Sequence, residues 1–287
     1  MIKLVLREIT KRLSASSDTA RLDAELLLMH ILQKPRAFLY AHADDALTPK
    51  QTAQLELVLS KRLQGVPMAY LLGEREFWSL LFYVTPDTLI PRPETELLVE
   101  LALNLLSTKK SCSVLELGTG TGAISVALAS EKPDWTFLAL DVSQKALDIA
   151  EKNINRHQIK NINLIQSNWF EAITNMPTCH GSSEASFDLI ISNPPYLAQD
   201  DTHQHQGDLR FEPKSALLSG QDGLDDLNVI IQNSMRHLEP GGILLLEHGY
   251  EQAKAVKKKL HLANYKKTAT WKDSNHLDRV SGGWKSV

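Results

Sequence analysis

Asn193-Pro194-Pro195-Tyr196 brings together the residue types in this chain best suited to holding a small polar group. Neither proline has an N–H and each ring fixes its own φ, so the backbone makes a stiff bend whose carbonyls are free to accept hydrogen bonds. The Asn193 side chain adds one more carbonyl. The apolar run Phe187-Asp188-Leu189-Ile190-Ile191 leads into this bend as a buried parallel strand would. Rigid acceptors at the carboxyl end of a strand, followed by an aromatic face, suit a planar group that carries an –NH2. The competing reading is a plain turn, because Asn-Pro and Pro-Pro are also common loop punctuation.

A second constellation lies upstream, where the strand-like Ser113–Leu117 runs into Gly118-Thr119-Gly120-Thr121-Gly122 and then the helical Ala123-Ile124-Ser125-Val126-Ala127-Leu128-Ala129. Positions without side chains let a ligand reach the backbone, and the turn exposes N–H groups at a helix start. Such a loop serves a dinucleotide or another nucleotide-like cofactor, and the commoner dinucleotide fingerprint places its last glycine one residue further on. Asp141 follows Phe137-Leu138-Ala139-Leu140, where an acid accepts from ribose hydroxyls or caps the helix starting near Ser143. Asn168-Trp169-Phe170 falls after the third strand, where an adenine ring would lie. Trp169 either flanks that ring or belongs to the core.

These residues need a scaffold, and the pattern supplies one. Strands are expected at 113–117, 135–140, 162–166, 187–192 and 242–247, with weaker ones at 265–271 and 277–282, and helices at 121–130, 143–156, 223–238 and 250–261. This alternation predicts an α/β fold with a parallel sheet covered on both faces, whose ligand crevice lies at the carboxyl ends of the central strands. If the first and fourth strands are neighbours, the –NH2 held at Asn193 and Pro194 faces the glycine loop across a short gap.

Residues 1–75 read as a small helical unit. Ile2, Leu6, Ile9 and Leu13 share one helical face, and Leu22, Leu26 and Met29 share another. In a third helix Thr48 caps, Pro49 takes the first position, Gln51 completes a capping box, Leu55, Leu59 and Leu63 face inward, and Gly65 follows the last turn. A Leu and Met stripe of this kind is core, so the unit is expected to pack or to dock a substrate. Phe77–Val84, within a connector spanning 76–90, predicts a short hairpin before a 91–287 catalytic domain. In Thr85–Glu96 the prolines keep the chain extended until Pro93 starts a helix with Leu97, Leu101 and Leu105 on one face. Glu94 and Glu96 favour that helix start. Arg92, between two prolines, is expected to touch a ligand or anchor the site.

At 287 residues and 43% hydrophobic content, the chain accommodates one large α/β domain and a smaller one. A net charge of -3 gives no basic footprint, and only Lys257-Lys258-Lys259 forms a basic run, so no direct nucleic-acid partner is expected. Cys112 and Cys179 make neither a disulfide framework nor a four-ligand zinc site. No signal peptide or membrane-length apolar run is visible, and the expected setting is cytoplasmic. The loop Asp200–Asp208, with His203 and His205, could hold a metal by composition, but a solvated lid is the expectation and no metal is assigned.

Glu116-Leu117-Gly118-Thr119-Gly120-Thr121-Gly122 resembles the S-adenosylmethionine loop of Rossmann-like methyltransferases. The whole chain resembles the N(5)-glutamine methyltransferases that modify peptide-chain release factors. It does so through the helical unit, Leu89–Glu96, the glycine loop, Asn193-Pro194-Pro195-Tyr196, Gln206–Pro213 and Leu246-Glu247-His248-Gly249. The resemblance implies S-adenosyl-L-methionine held by Glu116, Gly118, Thr119, Gly120, Thr121, Gly122, Asp141, Asn168, Trp169 and Asn193. It implies class-one release factors as protein substrate, the glutamine of their Gly-Gly-Gln loop meeting Asn193, Pro194, Pro195, Tyr196 and Arg92, with Asn193, Pro194 and Tyr196 catalytic. One departure is Asn168, where such proteins usually carry an acid toward the adenine amino group. The alternatives are a nucleic-acid amino methyltransferase with the same bend, a glutamine methyltransferase acting on a ribosomal protein, a nicotinamide-dependent oxidoreductase, and a silent cofactor-binding module. The Arg210-Phe211-Glu212-Pro213 context disfavours the second, the glycine spacing the third, and the intact acceptor array the fourth.

Overall fold

The computed structural model describes residues 1–174, 185–205 and 207–287, and the chain divides into two compact units. Cys179, Ser182-Ser183-Glu184, Gln206 and the side chains of His203 and His205 lie outside what is described.

The first unit comprises Met1–Glu74 with His205–Phe211. Its helices are α1 (Ile2–Leu13), α2 (Ala20–Leu32), α3 (Arg36–Ala41), α4 (Pro49–Leu63) and α5 (Met68–Leu72). The α4 start is as expected: Thr48 Oγ1 accepts from the Gln51 N–H at 3.2 Å while Gln51 Oε1 accepts from the Thr48 N–H at 2.9 Å. The core joins Ile2, Leu6, Ile9 and Leu13 to Ala24, Leu27, Leu28, Leu39, Leu55 and Leu59. The expected α2 face is corrected, since Leu22 is exposed and Leu26 and Met29 are only half-buried. Four consecutive apolar residues, Leu26 to Met29, fit more than one helical phase, and packing chose the one that also buries Asp23 and Glu25. Those acids are satisfied: Asp23 accepts from Arg62 Nε at 2.8 Å, and Glu25 from Arg21, Arg36 and Tyr40.

The second unit comprises Arg75–Gln204 and Glu212–Val287. It contains the hairpin β1 (Glu74–Phe77) and β2 (Leu80–Tyr83), then α6 (Glu96–Leu105), β3 (Ser113–Leu117), α7 (Ala123–Glu131), β4 (Thr136–Asp141), α8 (Gln144–Arg156), β5 (Ile162–Gln166), β6 (Phe187–Ser192), α9 (Asp225–Ser234), β7 (Leu238–Glu247), α10 (Ala253–Leu262), β8 (Lys266–Lys272) and β9 (Asp278–Trp284). The sheet runs β5-β4-β3-β6-β7-β9-β8. Its first five strands are parallel, whereas β9 runs antiparallel to both β7 and β8. The short reversal between β8 and β9 leaves no room for a crossover helix, so the sheet is not parallel throughout.

Alternation along the buried strands sends Val114, Leu189, Ile191, Ile243 and Leu245 to the face covered by α6 and α7, and Leu115, Leu117, Ile190, Leu244 and Leu246 to the face covered by α9 and α10. The hairpin packs into the first of these layers through Phe77 and Phe82, so it belongs to the second unit's core. Asn153 of α8 fastens it further, accepting from the Tyr83 N–H at 2.7 Å and donating to the carbonyls of Tyr83 and Thr121. Two boundaries shift. The helix expected over 223–238 ends at Ser234, and β7 begins at Leu238 instead of 242. Pro240-Gly241-Gly242 forms an irregularity within the strand, with Gly241 at φ +78°, where its sequence resembled a break.

Candidate active site

Strands β3 and β6 are adjacent and pair Leu117 with Ser192, so the glycine turn and the proline bend leave the same edge of the sheet. The Ser192 hydroxyl donates to the Leu117 carbonyl at 2.7 Å and locks the two strand ends together. Both loops open onto one cavity of about 1170 Å³, its mouth included, among whose lining residues are Glu116, Gly118–Thr121, Asp141, Asn168, Trp169, Arg92, Asn193 and Pro195.

Gly118, Gly120 and Gly122 all have positive φ, and the turn is held by backbone hydrogen bonds, the Thr119 N–H donating to the Leu140 carbonyl at 2.9 Å and the Gly122 N–H to the Thr119 carbonyl at 2.8 Å. Gly122 ends the turn at the start of α7, where an added Cβ would stand 3.3 Å from the Ala150 Cβ. Beneath the turn Glu116 is buried and one carboxylate oxygen collects three hydrogen bonds, from Thr119 Oγ1, the Ser125 N–H and the Ser125 hydroxyl. Burial raises its pKa to about 7 against the opposing pull of Ser125 and Thr119. Asp141 at the end of β4 accepts from the Gly120 N–H at 2.8 Å and the Ser143 N–H at 2.9 Å, and burial raises its pKa as well. Ser143 itself caps α8. Asp141 thus braces the glycine turn, and each of its oxygens keeps a lone pair for a further donor.

Asn168 Nδ2 donates to Glu171 Oε1 at 2.7 Å, which leaves Oδ1 as the group available to an amino donor. Trp169 has the left-handed φ of +48°, its indole N–H donates to Asp226 Oδ1 at 3.2 Å, and its ring stands over the Cα of Gly118. Arg92 is ion-paired with Glu212, whose other oxygen accepts from the Ile90 N–H at 3.1 Å. Of the two roles expected for Arg92, this pairing serves the anchor. Pro194 is buried and Tyr196 half-buried, and neither lines the cavity; the Tyr196 hydroxyl donates instead to Glu247 at 3.3 Å. The sequence reading gave no role to Thr88, Thr95, Glu212, Asp226 or Glu247. Thr95, Glu212 and Glu247 stand inside the very segments that carried the resemblance, and that was the only signal pointing to them. Among the described residues no group of three His, Cys, Asp or Glu side chains gathers to hold a metal.

The lining chemistry fits S-adenosylmethionine. Asp141 can take ribose hydroxyls, Asn168 an adenine amino group, and Gly118 and Gly120 admit a ligand to the backbone. Asp87, Glu116, Asp141 and Asp226 line the cavity with Arg92, and even with Asp87 paired to Lys145 and Arg92 to Glu212 the remaining acids suit a cationic ligand and not a pyrophosphate. A sheet of this strand order over a cavity of this chemistry defines a Rossmann-like S-adenosylmethionine-dependent methyltransferase. The fold is shared with a methyltransferase from Pyrococcus furiosus at TM-score 0.51 and 19% identity, over 84% of this chain and 100% of that one. The Methyltransferase domain family matches residues 108–281, and the PrmC N-terminal domain family matches residues 5–73. The release factor glutamine methyltransferase of Shewanella oneidensis is 46% identical over 96% of this chain and 93% of its own length, and that of Escherichia coli strain K12 is 45% identical over 97% and 96%. The chain belongs to the release factor glutamine methyltransferase family.

Proposed function

We propose that the chain methylates the side-chain amide nitrogen of the glutamine in the Gly-Gly-Gln motif of class-one release factors. The observation that carries this reading is the pairing of β3 with β6, which opens the glycine turn and Asn193 onto one cavity. Bound S-adenosylmethionine supplies an electrophilic methyl group on a positively charged sulfur. A carboxamide nitrogen is a weak nucleophile because its lone pair is shared with its carbonyl. Asn193 Oδ1 and the Pro194 carbonyl each accept one of its N–H bonds, which fixes the nitrogen in line and stabilises the positive charge that develops on it. The methylated nitrogen is acidic enough to release its proton to water, so no side chain is assigned as a base.

The first unit, by its match to a family-specific N-terminal domain, is read as the docking module for the protein substrate. A cytoplasmic setting is consistent with a translation-factor substrate, and no helix among the described residues is long and apolar enough to cross a membrane. The decisive experiment supplies methyl-labelled S-adenosylmethionine with release factor, with ribosomal protein and with DNA in separate reactions. Label in release factor alone is expected; label in DNA alone would replace this reading by the nucleic-acid one. Replacing Asn193 by Ala is expected to lower the transfer rate by about two to three orders of magnitude, as loss of one oriented acceptor does.

A further inference from the structure

The amide of Asn193 has an accepting end and a donating end, and the proposed chemistry needs the accepting end turned toward the substrate. Any role of its neighbours in methyl transfer rests on that reading of Asn193. Glu247 closes β7 on the α6 side of the sheet and is 1% exposed. Its Oε2 accepts from the Thr95 hydroxyl at 2.7 Å, and its Oε1 from the Tyr196 hydroxyl at 3.3 Å. An ionised carboxylate has no hydrogen to give, so Thr95 must direct its one O–H at Glu247. Thr95 Oγ1 can then only accept from Asn193, and at 3.1 Å it does so from Nδ2. That contact leaves Oδ1 at the other end of a planar amide.

We propose that Glu247 and Thr95 are positioning residues for methyl transfer: Glu247 fixes the direction of the Thr95 hydroxyl, and Thr95 holds Nδ2 of Asn193 so that Oδ1 faces the substrate amide. Three elements meet here, since Thr95 immediately precedes α6, Asn193 follows β6 and Glu247 ends β7. The two strand ends adjoin, because Ser192 pairs with Leu246.

The direction of this relay depends on the charge of Glu247. A protonated carboxyl can donate to Thr95 Oγ1, which frees the Thr95 O–H to turn toward Asn193; that hydrogen is matched by Oδ1, and the amide turns over. The groups facing Glu247 are Thr95 and Glu94 from the segment before α6, Tyr196 from the bend after β6, and Arg279 from β9. Burial raises its pKa to about 7, opposed by Thr95, Arg279 and Tyr196 and assisted by Glu94.

The test uses the full chain and reads single-turnover methyl transfer to release factor, with S-adenosylmethionine affinity by calorimetry as the control for an intact fold. Thr95→Val is expected to slow transfer about 10- to 100-fold without loss of cofactor affinity, because the productive orientation then leaves a partly buried amide N–H without its acceptor. Thr95→Ser is expected to restore most of the rate. Glu247→Gln can present its oxygen to Thr95 and its amide nitrogen to Tyr196, and it does not titrate. The parent's rate is expected to fall as pH drops through about 7, and that fall is expected to shrink in this variant. Parent-like transfer by Asn193→Ala would defeat the reading of Asn193 itself. If that variant is impaired, the relay alone is overturned by a parent-like rate in Thr95→Val or by a Glu247→Gln profile that superposes on the parent's. Should Thr95→Val fail to bind cofactor, the Glu247→Gln profile decides.

Discussion

Ionising a carboxyl buried at the end of a central strand is costly, and Glu116 is in that position. Its folded pKa of about 7 stands above the ordinary 4.5, so the folded chain binds this proton more tightly than the unfolded one. The stability it contributes is complete below 4.5 and is lost as pH rises through about 7. Glu116→Gln keeps the group neutral throughout and can accept the same donors. Relative to the parent, its unfolding free energy is expected to gain roughly 3 kcal/mol between acidic and alkaline pH, a shift measurable by denaturant titration across that range. Parallel curves would show that Glu116 ionises freely. At this scale the sequence singled out Asp141 and Asn193 from their places after strands and Glu116 through the resemblance of its loop, and all three line the cavity. The sequence was silent on the hydrogen-bond directions that distinguish one end of an amide from the other, because Thr95 and Glu247 are far from Asn193 along the chain. The resemblance placed Tyr196 among the residues that meet the glutamine, and the structure adds that its hydroxyl donates to Glu247.

Elements position these residues by how tightly they join. The turn between β3 and α7 succeeds only if Gly122 adopts φ +79° against Ala150 of α8, a conformation and a clearance that a side chain opposes. Gly122→Ala is expected to destabilise the second unit by about 1–2 kcal/mol and to weaken S-adenosylmethionine binding, readable by thermal unfolding with and without cofactor. The glycine pattern made this turn legible. The hairpin was legible as a hairpin from its aromatic and β-branched residues, but not as core, since nothing local tells Phe77 and Phe82 which layer they enter. The start of β7 was hidden for a different reason: Pro240-Gly241-Gly242 is punctuation in isolation and becomes a bulge only with β6 alongside.

Among the described residues the buried apolar side chains separate into a core for the helical unit and two layers for the sheet unit, with no residue in common. Leu59→Ala in α4 is therefore expected to cost the helical unit about 2–5 kcal/mol while leaving S-adenosylmethionine affinity unchanged. Hydrogen exchange resolved along the chain, together with calorimetric cofactor binding, checks both halves of that statement. Weaker cofactor binding would mean that the two cores are energetically coupled.

Local chemistry in the sequence determined the strand and helix alternation, the helical unit, the cofactor turn and the acceptor bend, because each depends on neighbours a few residues apart. Glycine, proline, capping residues and hydrophobic period act at that range. Which phase of α2 is buried, that β9 enters antiparallel, that Arg92 is held by Glu212, and that hydrogen bonds join Asn193 to Thr95 and Thr95 to Glu247 were decided only by tertiary structure. Those outcomes join residues as much as 152 positions apart. Contacts of that span depend on which strand ends adjoin, and no local pattern encodes them.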